Sequence, residues 1–406
     1  MKGLNEGGSL NKVVLAYSGG LDTSVSIIWL REKYNVDVYT VTVDVGQGGD
    51  FKLVEDMAYK LGAVKHFFID AKRDFVENYV FPSIKANGLY EGKYPLSSAL
   101  SRPLIAKNAV EVAETVKADA VAHGCTGKGN DQVRIETTIK ALNPNLKILA
   151  PVREWGLDRE FELEYARKHG IPFSREKIYS IDQNLWGRSI ECGPLEDIEL
   201  EPSSDVFKWT IDPEKAPDRA EYVTIGFENG VPTSLNGETL DGVTLLTRLN
   251  EVAGRNAVGR IDHIEDRVVG IKTREVYECP AAVCILEAHK DLEKLVLTPS
   301  QLSFKELVDR QWSFLVYAGM WYEPLKQDLE EFINSSQRFV EGWVKLKLYK
   351  GGLRVVSRMS KYSLYSRDLA TYSVKSVFDQ SAAPGFIEIW SLPLRAAHSA
   401  RKSRWR

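Results

Sequence analysis

The stretch KVVLAYSGGLDTSVSIIWL, Lys12 to Leu30, decides the fold. Its middle, AYSGGLDTS from Ala16 to Ser24, is small, polar and glycine-paired, yet it lies between two strongly apolar runs. The first run reads as a buried strand and the second as the start of a helix. A glycine turn at the carboxyl end of a strand is where open parallel sheets collect ligands. Gly19 and Gly20 let the backbone approach a bulky anion, and the first N–H groups of the following helix add the positive end of its dipole. Ser18, Thr23 and Ser24 supply hydroxyl donors, so phosphate is the natural occupant. Walker A spacing is excluded because no lysine stands in the loop, and the dinucleotide fingerprint is excluded because the glycines are adjacent.

Outward from this turn, β-branched runs alternate with amphipathic stretches through about residue 172: VDVYTVTVDV then FKLVEDMAYKLG, ADAVAHG then DQVRIETTIKAL, LKILAP then DREFELEYARKHG. Continuous apolar strands separated by helices predict a doubly wound α/β domain over 1–172. From 173 the texture is α+β. YVTIGFENGVPTSLNG and WVKLKLYKGGLRVVSR read as hairpins, while LDGVTLLTRLNEVAG and Pro280 to about Ile333 carry helical periodicity. A domain over 173–362 follows, then a C-terminal helical arm over 363–406 with Arg395, Arg401, Lys402, Arg404 and Arg406 near its end.

The 53 basic residues nearly balance 56 acids, giving a net charge of −3 and arguing against a surface built to coat nucleic acid. The four cysteines show no CxxC pair and no histidines at zinc-ligand spacing. Without an apolar leader or a bilayer-length apolar run, the expectation is a cytoplasmic protein with no membrane and no nucleic-acid partner.

A second constellation, HGCTGKGNDQVR from His123 to Arg134, also follows a predicted strand. Gly124, Gly127 and Gly129 make another backbone cradle, Lys128 adds a cation, and Asn130 and Asp131 are good helix-capping types. Arg134 lies one helical turn beyond Asn130, so groups of both signs converge on one rim.

The SGGxDTS pattern resembles the PP-loop of ATP pyrophosphatases, which leaves the α-phosphorus open to attack. Together with YPLSSALSRPLIAK, HGCTGKGNDQVR, GRIDHIEDRVVGIKTREVYE and the tail, the chain resembles the argininosuccinate synthase family along its whole length. That resemblance implies that Ala16, Tyr17, Ser18, Gly19, Gly20, Leu21, Asp22, Thr23 and Ser24 cradle ATP, with Val43 beside the adenine and Gly124 also on the nucleotide. An acidic residue inside a phosphate loop would repel its ligand, so Asp22 makes sense if it faces Mg²⁺ or orders the loop backbone. Citrulline would meet Tyr94, Asn130, Arg134, Ser180, Ser189, Glu265 and Tyr277, and aspartate would meet Thr126, Asn130 and Asp131. Ser18, Asp22 and Lys128 are the candidate catalytic residues, acting by positioning and charge stabilisation because no enzyme nucleophile is needed. A homo-oligomer, a tetramer clasped by the arm, is implied as well. Other readings of the same loop are another PP-loop adenylating enzyme and a non-catalytic ATP sensor.

Overall fold

A computed structural model describes residues 10–155, 159–171, 178–372 and 377–404. The expected junction at 172/173 falls outside these. The described residues up to Tyr362 pack as one compact unit and those from Ser363 onward form another.

Five strands make the parallel sheet: β1 (Lys12–Ala16), β2 (Asp37–Asp44), β3 (Lys65–Asp70), β4 (Ala120–Ala122) and β5 (Lys147–Leu149), in the order β3-β2-β1-β4-β5. In β1, Val14 enters one core cluster, while Val13 and Leu15 enter another on the opposite face. All three are fully buried, as the continuous apolar run requires of a central strand covered on both sides. The strand order reverses between β1 and β4, so the chains leaving their carboxyl ends diverge and open a crevice.

The remaining strands are β6 (Ser180–Asn184), β7 (Gly187–Glu191), β8 (Glu221–Glu228), β9 (Val231–Leu235), β10 (Glu238–Thr239), β11 (Arg260–Asp266), β12 (Lys272–Glu278), β13 (Gly342–Tyr349) and β14 (Gly352–Met359). Both anticipated hairpins form. The β8–β9 turn places Asn229 and Gly230 at φ 50° and 76°, and the β13–β14 turn places Lys350 and Gly351 at 45° and 82°. Left-handed pairs of this kind match the twist of the flanking strands. Pairing of β8 with β13 unites them in the sheet β10-β9-β8-β13-β14. Helices Gly242–Gly254, Pro280–Val296, Pro299–Tyr317 and Pro324–Gln337 occupy the two stretches with helical periodicity.

A third sheet, antiparallel β11-β12-β7-β6, was not foreseen as strands. Its back is fixed by a fully buried charge. Glu278 pairs with Arg188 at 2.6 Å and accepts from the amides of Lys208, Trp209 and Thr210 and from the Thr210 hydroxyl, at 2.8–3.0 Å. Asn184 Nδ2 donates to the Ser97 carbonyl at 2.9 Å, and Trp186 Nε1 to that of Pro95 at 2.7 Å. These bonds hold the β6–β7 turn against the start of the helix Ser97–Val116.

Candidate active site

The first loop leaves β1 and enters the helix Leu21–Tyr34, capped by Gly20 with no side-chain acceptor. Gly19 sits at φ +75°, and a Cβ there would lie 2.9 Å from Val54 Cγ2. Glycine is thus required by both conformation and space. Ser18 Oγ meets Thr23 Oγ1 at 3.2 Å and accepts from the Gly20 amide at 3.3 Å, so the hydroxyls shape the turn from within. Ser18 and Gly19 are exposed. Tyr17 and Ser24 point inward instead, bonded to each other at 3.2 Å, so their side chains belong to the packing beneath the loop. Val43 is likewise buried in the core near the end of β2, and Gln47 Nε2 takes its carbonyl at 2.8 Å.

The second loop follows β4. The Cys125 amide donates to His123 Nδ1 at 3.2 Å, which leaves Nε2 to carry the proton toward Glu136 at 3.1 Å. Gln132 Nε2 holds the Gly127 carbonyl at 2.6 Å, and Arg153 braces both Gln132 and Glu136. A Cβ on Gly124 would lie 2.8 Å from Thr23 Cγ2, so the two loops touch across the crevice. Lys128 is exposed, and its carbonyl accepts from Arg267 Nη1 at 3.3 Å.

The caps expected at the next helix are corrected. Gly129 is the N-cap of the helix Asn130–Leu142, and the side chains of Asn130 and Asp131 are committed elsewhere. Asn130 Nδ2 donates to the Tyr317 hydroxyl at 2.8 Å, and its Oδ1 accepts from the Val268 amide at 2.9 Å. Asp131 is gripped by Arg102 Nε and Nη2 at 2.9 and 2.7 Å and by Arg134 Nη1 at 3.1 Å. Burial alone would raise its pKa, but Arg102 and Arg134 outweigh burial and hold the carboxyl below its ordinary range. Asp131 is therefore an ionised anchor and a poor proton acceptor at neutral pH.

The third sheet closes the cleft. Side chains alternate faces along a strand, and cross-strand partners share one. Register pairs Ser189 with Tyr277 and with Asp182, Ser180 with Glu191, and Glu265 with Thr273. The polar face thus gathers Ser180, Ser189, Glu265 and Tyr277, while Ile190 and Val276 pack on the other side. Tyr277 and Tyr317 hydroxyls donate to the two oxygens of buried Glu265 at 2.6 and 2.5 Å. Tyr94 stacks on Tyr277 with centroids 4.4 Å apart, and its hydroxyl accepts from the Ser98 amide at 2.8 Å. Arg134 spends Nε on the Tyr317 carbonyl at 3.0 Å, and its buried Nη2 has no partner. A buried guanidinium N–H left this way calls for an acceptor such as a ligand carboxylate.

All nine residues expected to bind citrulline or aspartate line one cleft of about 250 Å³, together with Asp22 and Gly124. The other residues of Ala16–Ser24, with Val43 and Lys128, are not in that lining. A roomier cavity of about 720 Å³ lies elsewhere, walled by Asn87, Glu293, Lys305 and Asp309. Those four are already bonded among themselves.

In and behind the cleft wall stand residues that sequence reasoning missed. Arg102 joins Asp131 to Asp182 at 2.9 Å, and Ser98 Oγ donates to the same Asp182 oxygen at 2.7 Å. Arg267 bridges Glu191 and Glu275, the latter at 2.7 Å. Burial and the neighbouring Glu191 push Glu275 up to about 7 despite Arg267. Arg102 and Arg267 stood inside quoted motifs, whereas Tyr317 stood in none.

Two family descriptions divide the chain between them: "Arginosuccinate synthase N-terminal HUP domain" matches residues 12–172 and "Arginosuccinate synthase C-terminal domain" matches 179–397. The chain belongs to the argininosuccinate synthase family. Argininosuccinate synthase of Pyrococcus furiosus is 60% identical, over 94% of this chain and 93% of the relative. That of Pyrobaculum aerophilum is 57% identical over 97% and 99%, and that of Symbiobacterium thermophilum 54% over the same shares. As an argininosuccinate synthase the chain is an ATP-dependent ligase, and the PP-loop reading of Ala16–Ser24 agrees with its HUP domain. Among the described residues no helix is long and apolar enough to cross a membrane.

Proposed function

We propose that the cleft joins citrulline to aspartate with ATP as the driving substrate, giving argininosuccinate, AMP and diphosphate. The observation that carries the assignment of roles is the meeting of two glycine loops with the polar face of the third sheet around one cavity. In this reading the triphosphate lies on the exposed main chain of Ser18–Gly20 at the positive end of the helix Leu21–Tyr34. Gly124, Thr23 and the rim of β2 adjoin the nucleotide. Citrulline's carboxylate takes the orphaned Arg134 Nη2, its ammonium faces Glu265, and Ser180, Ser189, Tyr94 and Tyr277 frame the remainder. Aspartate occupies the side lined by Thr126, Asn130 and Asp131, with Arg102 neutralising Asp131.

The ureido oxygen attacks the α-phosphorus and diphosphate departs, leaving a citrullyl-adenylate. The aspartate amine then attacks the activated carbon, the carbon–oxygen bond to AMP breaks, and the amine's proton is lost. Binding both amino acids in one cleft turns the second step into an intramolecular one. The donors suit Mg²⁺ only in company with phosphate. Asp22 brings one carboxylate to the cleft, and no cluster of three acidic, histidine or cysteine ligands occurs among the described residues. Asp22 would hold such an ion together with the nucleotide's phosphate, and the ion would supply charge neutralisation for the departing diphosphate.

The helices Ala383–Trp390 and Leu392–Arg401 expose Phe386, Ile387, Ile389, Trp390, Leu392 and Leu394, which supports an arm that clasps neighbouring copies into a tetramer. Truncation after Tyr365 should lower the mass measured by light scattering, and an unchanged mass would contradict the clasp. The catalytic reading is tested by diphosphate release with ATP and Mg²⁺. Turnover to argininosuccinate should need both amino acids, and steady release without either would refute it.

A further inference from the structure

Tyr317 is the last residue of the helix Pro299–Tyr317, whose start is fixed by a Thr298–Gln301 capping box. It is fully buried, and a buried tyrosine with a satisfied hydroxyl is ordinarily a core residue. The contacts of its hydroxyl, its carbonyl and its ring set it apart. Its hydroxyl accepts from Asn130 Nδ2 at 2.8 Å and lies 2.5 Å from Glu265 Oε1. Its carbonyl accepts from Arg134 Nε at 3.0 Å. Its ring lies 4.9 Å from the Arg134 guanidinium carbon and stacks on Tyr90 with centroids 3.4 Å apart.

A phenol has one proton to give. The Asp266 carbonyl, 3.1 Å away, already accepts from the Tyr90 hydroxyl at 2.9 Å, so the Tyr317 proton goes to the Glu265 carboxylate, the shorter and charge-assisted bond. With Tyr277 on the other oxygen, Glu265 is held at both ends. Arg134 is held at Nε by Tyr317 and at Nη1 by Asp131, which leaves Nη2 as the one buried guanidinium nitrogen without a partner on that side chain. The anionic and cationic groups on either side of the cleft are therefore set by contacts to a single residue.

We propose that Tyr317 is the positioning residue of the amino-acid end of the citrulline subsite, holding Glu265 and Arg134 at the separation that an α-ammonium and an α-carboxylate require. The inference rests on the placement of citrulline given above. It assigns Tyr317 no contact with the nucleotide or the reacting carbon.

Tyr317→Phe keeps the stack on Tyr90 and removes only the hydroxyl. With citrulline, the variant's KM should rise about tenfold, the loss of one hydrogen bond to a charged group, while the ATP KM stays within about twofold. The decisive comparison uses 5-ureidopentanoate, citrulline without its amino group, assayed by diphosphate release. Wild type and variant should differ by less than about twofold in KM for this analogue, because no ammonium remains for Glu265 to meet. The ratio of the two KM values within one protein is insensitive to a misfolded fraction, which lowers the apparent kcat instead. Equal changes in the citrulline and ATP KM values, or an undiminished tenfold change with the analogue, would overturn the proposal. A wild-type enzyme whose diphosphate release ignores citrulline would instead bring down the substrate placement on which the proposal rests.

Discussion

Two walls of the cleft are built in opposite ways. The phosphate loop, Ala16–Ser24, is a single turn whose shape follows from neighbours a few residues apart: Ser18 on Gly20 and Thr23, Tyr17 on Ser24. The opposite wall is assembled from β6, β7, β11 and β12, and Glu265 there depends on Tyr317, 52 positions along the chain. A local turn carries its chemistry in its own residues. A wall made by strand pairing carries it in register, so damage far from the cleft should disable it.

The largest effect separating the two is expected at Asp22. Asp22→Ala should lower diphosphate release at least a hundredfold while leaving the fold intact, read as an unchanged melting temperature, if its carboxylate acts at the phosphates. Unimpaired release would remove Asp22 from the phosphate end. Glu278→Ala tests the other wall from behind. Removing one partner of the buried Arg188 pair should cost about 3–5 kcal/mol of unfolding free energy in denaturant titrations. A loss below about 1 kcal/mol would mean that the wall does not depend on this anchor.

Smaller effects divide the cleft itself. Arg134→Ala should raise the citrulline KM about 10- to 100-fold and leave the ATP KM nearly unchanged. Equal shifts in both would argue against a carboxylate partner for Nη2. Glu275→Gln should act through pH. With its carboxyl raised to about 7, the folded protein holds a proton that the unfolded chain, near the ordinary 4.5, has released. Stability from this group is present in acid and is lost as pH rises through that window. Melting temperatures recorded from pH 5 to 8 should fall less steeply in the variant than in the wild type. Identical slopes would show that Glu275 ionises normally.

The same contrast explains what the sequence made legible. Val13, Val14 and Leu15 are apolar because both faces of β1 are covered, so the parallel sheet and its loop could be read directly. The β8–β9 and β13–β14 hairpins could be read because Asn229-Gly230 and Lys350-Gly351 satisfy the left-handed turns. RIDHIED and KTREVYE did not read as strands. One face of that sheet lines a polar cleft, and its apolar reverse is a small cluster around Ile190 and Val276, so the usual alternation is masked by charge. Asn130 and Asp131 misled as caps because the residue types that cap helices also suit ligand cradles, and here both side chains turn into the cleft's own bonding network. Tyr317 carried no local signal: a tyrosine ending an amphipathic helix looks like core until its partners at 130, 134 and 265 are brought beside it.

The central claim is that the α-phosphorus, left open above the glycine turn, is attacked by the ureido oxygen. Citrulline labelled with ¹⁸O at that oxygen, turned over with ATP and aspartate, puts the claim to mass spectrometry of the products. The account predicts label in AMP and none in diphosphate. Unlabelled AMP, or ADP with orthophosphate in its place, would contradict it.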